Sequence, residues 1–115
     1  MQKIRTGCDI VYIPRIQNMM LDKTQLKRVF HEDEILRFEA HHIAGIFAAK
    51  EAVIKALNIF PIPSFLDIHI RSEESGRPYV TITSTIGNNT SYSVDISISH
   101  DNDYAFATAV LFENE

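Results

Sequence analysis

The stretch of residues 42–57 constrains the fold of this chain more than any other segment. Its apolar residues recur at helical spacing, and alanines occupy much of the remaining helix surface. A helix that is apolar or small almost all the way round is buried, and its alanines let neighbouring elements pack closely. The sequence therefore predicts one central buried helix, which we expect Pro61 and Pro63 to end.

The residues before this helix predict one strand followed by short helices. Residues 4–13 are rich in β-branched side chains, which favours a strand. Pro14 suits the first turn of a short helix, and residues 23–30 form a second helical stretch. Residues 32–38 begin with three acidic side chains, which is typical of a helix amino terminus, so we expect a third helix there.

The second half of the chain changes to a period of two. Residues 67–71 and 79–82 alternate in polarity on either side of a glycine-containing loop, which predicts a hairpin. Residues 92–99 and 104–112 predict a second hairpin, with residues 100–103 as its turn. With helices in the first half and antiparallel strands in the second, the pattern predicts an α+β fold. A length of 115 residues fits a single domain, 1–115.

Composition excludes several functional classes. The net charge of −4 argues against a general nucleic-acid-binding protein, and no apolar run is long enough for membrane insertion. Cys8 is the only cysteine, so an internal disulfide is impossible and a cytoplasmic location is the simplest interpretation. The residues up to His31 carry six basic and two acidic side chains. This basic segment fits either an acidic partner or an ordinary solvated helix face.

The central helix keeps three charges, Lys50, Glu51 and Lys55, among its apolar residues. One explanation is a surface ion pair between Glu51 and Lys55, which stand at the favourable i, i+4 spacing. That pair leaves Lys50, near the centre of the apolar stripe, without a partner, and an unpaired buried charge is very costly. A helix face directed at a polar ligand accounts for all three charges.

Asp9 interrupts the apolar strand predicted over residues 4–13. It could simply cap or bend the chain at the end of the strand, beside Gly7. Alternatively, Asp9 and Glu51 could supply two carboxylates from separate elements. Mg²⁺ typically uses one or two carboxylates together with substrate phosphates.

His100 stands where a predicted strand gives way to a turn, a position from which its ring could meet a ligand. The neighbouring Asp101 could orient or charge that ring. An ordinary polar hairpin turn is the competing interpretation. The chain carries no nucleophile elbow, P-loop or dinucleotide-binding fingerprint.

Taken together, these segments resemble the holo-acyl-carrier-protein synthases, the small bacterial-type branch of the 4′-phosphopantetheinyl transferases. The resemblance lies in GCDIV at 7–11, FAAKEAVIKA at 47–56, GRPY at 76–79 and SISH at 97–100, and it extends over nearly the whole chain. It implies an α+β homotrimer with active sites at the subunit interfaces. It also implies Mg²⁺-dependent transfer of 4′-phosphopantetheine from coenzyme A to a serine of apo acyl carrier protein, with release of adenosine 3′,5′-bisphosphate, in support of fatty acid synthesis.

The resemblance also implies roles for individual residues. Asp9 and Glu51 would bind the metal, and Glu51, Lys55 and His100 would be catalytic. The carrier protein would contact Arg15 and Met19. The residues implied to bind coenzyme A are Lys50, Lys55, Gly76, Arg77, Pro78 and His100. A metal-bound water, Glu51 acting through such a water, and His100 all remain candidates for the general base.

Two departures from the family pattern motivate an alternative function. Ile46 stands where relatives often place an arginine, and residues 58–63 replace a glycine-rich loop. The alternative is a non-catalytic trimeric module that binds coenzyme A or a carrier protein. A purely structural trimer is a third interpretation.

Overall fold

The computed structural model describes residues 3–83, 86 and 91–114. Short 3₁₀ helices at Glu32–Ile35 and Phe65–Asp67 supplement its regular helices and strands. In chain order these are strand β1 (Lys3–Tyr12), helices α1 (Ile13–Met19), α2 (Lys23–Val29) and α3 (Ala40–Leu57), and strands β2 (Ile68–Ser72), β3 (Pro78–Ile82), β4 (Ser91–Asp101) and β5 (Tyr104–Asn114). The predicted α+β fold class is therefore confirmed.

Two antiparallel sheets surround the central helix. The larger has the strand order β1–β5–β4, so the first strand of the chain pairs with the last, and β2 and β3 form the predicted hairpin. The sheet face that covers α3 carries three buried alanines from β5, and α3 meets it largely with alanines of its own. Small side chains on both surfaces allow helix and sheet to approach closely.

Gly7 is the closest point of this approach. A Cβ atom built on Gly7 would overlap the backbone oxygen of Ala52 and would lie 2.8 Å from the backbone nitrogen of Ala56. Strand β1 therefore crosses α3 backbone against backbone, and any side chain at position 7 would push them apart. The position of Asp9, two residues further along the same face of β1, depends on this contact.

Three local predictions need correction. The third predicted helix is only the 3₁₀ turn at Glu32–Ile35, where Glu34 is drawn into the core against Lys50, and the chain beyond Ile35 is no longer helical. Helix α3 ends at Leu57, as predicted, but the left-handed conformation of Asn58 ends it ahead of the prolines. Finally, His100 belongs to β4, where it pairs with Ala105, and the turn is shorter than predicted.

Lys50 and Glu34 form an ion pair inside the protein. Their side chains are 0% exposed, and Lys50 Nζ lies 2.8 Å from Glu34 Oε1. The ammonium also donates to the carbonyl oxygens of Phe65 at 3.0 Å and Ile68 at 2.7 Å. Glu34 Oε2 accepts from the Ile70 N–H at 2.8 Å. The pair thereby joins α3 to the chain on both sides of it.

We predict that Glu34→Gln lowers the free energy of unfolding by about 3–5 kcal/mol, because it leaves the buried Lys50 ammonium without its counter-charge. Urea unfolding of the variant against wild type measures the change. Glu32→Gln, in the same turn but exposed, is the matched control and should change stability by less than about 0.5 kcal/mol. Equal effects of the two substitutions would contradict this account.

Candidate active site

Asp9 projects from the face of β1 that packs against α3. Gly7 and Val11 share this face, and Val11 is buried. The Asp9 side chain is 17% exposed, and its Oδ1 accepts a 3.1 Å hydrogen bond from Lys55 Nζ. The same ammonium donates to the backbone oxygen of Cys8 at 3.0 Å. Strand and helix thus bring Asp9 and Lys55 into direct contact.

Glu51 lies one turn before Lys55 on α3 and is half-buried. Burial raises the pKa of its carboxyl group, the Asp9 carboxylate raises it further, and Lys55 and Arg15 act in the opposite direction. Within the described part of the chain, Glu51 makes no hydrogen bond or ion pair. The surface ion pair with Lys55 does not form, because the Lys55 ammonium is directed to Asp9.

The two carboxylates suit a divalent cation. Asp9 and Glu51 offer hard oxygen ligands from two rigid elements, and their mutual repulsion is relieved when a cation lies between them. In residues 3–83, 86 and 91–114, no group of three or more His, Cys, Asp or Glu side chains is placed to hold a metal ion. Two carboxylates completed by ligand phosphates match the coordination that Mg²⁺ prefers.

The raised pKa of Glu51 has a consequence for stability. Because the folded-state pKa lies above the unfolded value, the folded protein loses stability as the pH rises from the unfolded pKa through the folded one. Glu51→Gln removes this loss. We predict that this substitution raises the melting temperature by about 3 °C at pH 7 and by a smaller amount at pH 4.

Thermal unfolding at the two pH values, without divalent cations, measures this difference. Glu32→Gln serves as the control, because it removes an exposed carboxylate outside the site. A melting temperature that Glu51→Gln lowers at pH 7 would show that the Glu51 carboxylate stabilises the fold rather than straining it.

A pocket of about 300 Å³ lies between the start of α3, strand β4 and the loop that joins β2 to β3. Gly76, Arg77, Pro78 and His100 all line it, so the structure brings together the distant segments that sequence reasoning had connected. Gly76 has φ +90°, a backbone conformation that glycine adopts without strain and that shapes this loop.

His100 lies against the first turns of α3. Its Nε2 donates a 2.8 Å hydrogen bond to the backbone oxygen of His41. A Cβ atom at Gly45 would lie 2.9 Å from that nitrogen, so glycine makes room for the ring. Since Nε2 carries the hydrogen, Nδ1 holds the lone pair of the neutral ring and is the atom that could accept a proton.

Two expectations about neighbouring residues are not met. Asp101 does not orient His100, because adjacent strand residues point to opposite faces and the ring binds a backbone oxygen instead. Lys50 is not in the pocket, because its ammonium is fully buried on Glu34 and two carbonyl oxygens. We therefore remove Lys50 from the proposed coenzyme A site. Ile46 is buried and forms an apolar wall of the pocket.

Arg15 and Met19 stand four residues apart on α1, so they share one face of that helix. Arg15 is exposed, and it is one of the two cations that oppose the raised pKa of Glu51. A largely apolar groove of about 370 Å³ begins nearby at Met20. It is lined further by Lys23, Leu26, Lys27, Phe30, Glu32, Ile35 and Phe38.

Sequence reasoning missed three residues that shape the site. Glu34 holds Lys50, and the need of a buried lysine for a carboxylate was the signal that could have found it. Gly45 makes room for His100, and a glycine inside a strong helix pattern was the corresponding signal. His42 lines the pocket, and no sequence signal marked it.

The model of one protein family, described as the 4′-phosphopantetheinyl transferase superfamily, matches residues 5–109. The chain belongs to this superfamily. The resemblance noted in the sequence is thereby confirmed. The holo-[acyl-carrier-protein] synthase of Nautilia profundicola is 41% identical over 112 residues, which cover 93% of this chain and 98% of that protein. The holo-[acyl-carrier-protein] synthase of Ehrlichia chaffeensis is 39% identical over 121 residues, which cover 92% of this chain and 94% of that protein.

Solved structures of superfamily members share the fold. The Helicobacter pylori holo-[acyl-carrier-protein] synthase in complex with coenzyme A superposes with a TM-score of 0.80 at 36% identity, covering 92% of this chain and 98% of that one. The Bacillus anthracis enzyme in complex with CoA (3′,5′-ADP) gives a TM-score of 0.79 at 33% identity, and all of both chains is covered. Among the described residues, no helix has the length and apolar character needed to span a membrane.

Proposed function

We propose that this chain transfers the 4′-phosphopantetheine group of coenzyme A to a serine of apo acyl carrier protein and releases adenosine 3′,5′-bisphosphate. The observation that carries this proposal is the convergence of Asp9, Glu51 and Lys55 in a superfamily member. The relatives named above are holo-[acyl-carrier-protein] synthases, and two solved ones contain coenzyme A or its nucleotide part.

Asp9 and Glu51 would hold Mg²⁺, as their paired carboxylates suggest. When bound, this ion supplies positive charge to the coenzyme A diphosphate and to the oxygens that gain charge in the transition state. The unpartnered, half-buried Glu51 carboxylate is the feature of this chain that best fits such a ligand.

Lys55 contributes a second positive charge. Its side chain is 53% exposed, and one hydrogen bond ties it to Asp9. The flexible ammonium can therefore reach a phosphate beside the carboxylates. As the serine oxygen forms its bond to the phosphorus next to pantetheine, the bond from that phosphorus to the bisphosphate oxygen breaks. Lys55 stabilises the charge that accumulates on the phosphoryl oxygens.

The serine proton needs an acceptor, and two side chains of this protein have the required chemistry. Glu51, at the proposed metal site, could act on the serine proton through a water molecule. His100 offers Nδ1, because its Nε2 is engaged with His41. General-base assistance of this kind is typically worth about 10²–10⁴ in rate.

The pocket at Gly76, Arg77, Pro78 and His100 would receive the adenine end of coenzyme A. One terminal nitrogen of the Arg77 guanidinium donates to both carboxylate oxygens of Asp95, at 2.8 and 3.0 Å. This pair holds the guanidinium at the pocket, and its remaining N–H groups are available to an anion.

The carrier protein would bind across α1 and α2. Arg15 and Met19 present a cation and an apolar side chain from one face of α1, beside Glu51. The groove that follows combines Lys23 and Lys27 with apolar side chains. Acidic carrier proteins are attracted to such a surface, chiefly through faster association.

The outer face of the larger sheet supports assembly as a homotrimer. On this face, the paired strands β1 and β5 carry four exposed apolar side chains: Ile4, Ile10, Phe106 and Val110. A contiguous exposed apolar sheet face is typical of an interface between chains. We propose that the trimer buries this face and that the enzyme acts in the cytoplasm, in support of fatty acid synthesis.

The decisive test incubates the protein with coenzyme A, Mg²⁺ and apo carrier protein and measures the carrier mass. We predict a mass gain equal to one phosphopantetheine, which disappears when Mg²⁺ is chelated. Glu51→Gln should lower the transfer rate at least about 100-fold while the protein remains folded. Glu74→Gln, which removes an exposed loop carboxylate that lines neither the pocket nor the groove, should retain full activity.

Full activity of Glu51→Gln would refute the metal site. Coenzyme A affinity that is independent of Mg²⁺, with no transfer to any cognate carrier, would instead identify the non-catalytic trimeric module.

Introducing a charged residue on the outer face of the larger sheet tests whether this face forms the trimer interface. We predict that Phe106→Lys converts a trimer to a monomer in light scattering, because it places charge in an apolar interface while sparing the core. Thr81→Lys, at an exposed position of the smaller sheet, should remain trimeric. A wild-type protein that scatters as a monomer at micromolar concentration would exclude this assembly.

A further inference from the structure

His42 is a polar residue of the pocket to which neither the sequence nor the proposed reaction assigns a role. It lies in the first turn of α3 and lines the same cavity as Arg77 and His100. Its ring is half-buried, and within the described residues it makes no hydrogen bond, ion pair or ring contact. The other two have partners, since Arg77 binds Asp95 and His100 binds the His41 oxygen.

The immediate surroundings of His42 disfavour its protonated form. Burial lowers the pKa of its ring, and Arg37, His41 and His100 lower it further, while Glu39 acts in the opposite direction. Glu39 is itself bound to Arg37 at 3.1 Å and lies 3.3 Å from the His41 ring. Its charge is therefore largely matched, and the unliganded pocket keeps His42 neutral near pH 7.

A second cavity of about 270 Å³ is also lined by His42, and charged residues of both signs line it. Its acidic residues are engaged elsewhere. Asp33 binds the His69 ring at 2.8 Å, and Glu34 binds Lys50. The exposed Arg71 also lines this cavity. No free carboxylate among these described groups competes for the His42 ring.

We infer that His42 is a phosphate-binding residue, which takes up one proton from solvent when a phosphate monoester enters the pocket between Arg77 and His100. The identity of the ligand as coenzyme A rests on the proposed function. A phosphate monoester carries nearly two negative charges at pH 7, because its second pKa is about 6. That charge reverses the local balance that keeps the ring neutral, and the protonated ring then donates a charge-assisted hydrogen bond.

This assignment predicts a specific pH dependence of binding. Between pH 8.0 and 6.5, the affinity for coenzyme A should rise as the pH falls, because binding takes up a proton. Dephospho-coenzyme A lacks the monoester, so its affinity should stay nearly constant. Isothermal titration of the Mg²⁺-loaded protein with both ligands measures the difference.

His42→Gln is the informative substitution, because glutamine keeps a hydrogen-bond donor but cannot take up a proton. At pH 6.5 we expect it to bind coenzyme A about 10-fold more weakly than wild type, with little change for dephospho-coenzyme A. The pH dependence should disappear. His31→Gln is the matched control: its ring lies outside the pocket, where it bonds the Leu66 backbone oxygen and stacks on His69, and the pH dependence should persist.

A second measurement does not depend on catalysis. The His42 ring protons are titrated by NMR with and without adenosine 3′,5′-bisphosphate, and the ring should titrate at a higher pH when the nucleotide is bound. An unchanged His42 titration with saturating nucleotide would overturn the inference. So would a His42→Gln variant that keeps the pH dependence, or that loses affinity equally for both forms of coenzyme A.

These outcomes are separable from those of the transfer assay. A protein that protonates His42 on binding the nucleotide but never modifies a carrier would refute the proposed transferase and leave this phosphate site standing. A protein that modifies the carrier but whose His42 titration does not change on nucleotide binding would support the transferase and refute this phosphate site.

Discussion

The contact between Gly7 and the α3 backbone is the constraint on which the rest of the structure depends. Because no side chain separates β1 from α3, the Ala52 carbonyl lies directly against the strand. Asp9, two residues further on, then faces the same helix as Glu51 and Lys55. The alanines of α3 and β5 extend this close packing across the sheet. A helix and a sheet separated by large side chains could not hold two carboxylates within reach of one ion.

The three charged side chains of α3 lie in two different environments, although they are within two turns of one helix. Lys50 is fully buried, and its hydrogen bonds are all satisfied by the protein, so it stabilises the arrangement of the surrounding chain. Glu51 and Lys55 are incompletely buried and remain available to a ligand. An ionisable residue on an apolar helix therefore marks either a closed polar network or a site, and burial distinguishes the two.

Charge is unevenly arranged along the proposed coenzyme A path. Beside β1, two carboxylates repel each other, which favours a bound cation. At the start of α3, histidines and arginines accumulate, which favours a bound phosphate. In both regions, the electrostatic free energy is less favourable when the region is empty than when the appropriate ion is bound. Such local destabilisation is typical of functional sites, which the stability of the rest of the fold has to offset.

Much of the architecture was predictable from residue patterns, because the apolar periods of three to four and of two are local properties of the chain. They identified the central helix and the strands of both hairpins, and the family motifs predicted site roles for Asp9, Glu51, Lys55 and His100. Only the tertiary structure decided which charges meet. It paired Lys50 with Glu34, directed Lys55 to Asp9, turned His100 away from Asp101 and placed His42 in the pocket. Those partnerships join residues far apart in sequence. They depend on how closely helix and sheet approach and on which face each strand residue takes, and neither quantity is encoded in any single segment.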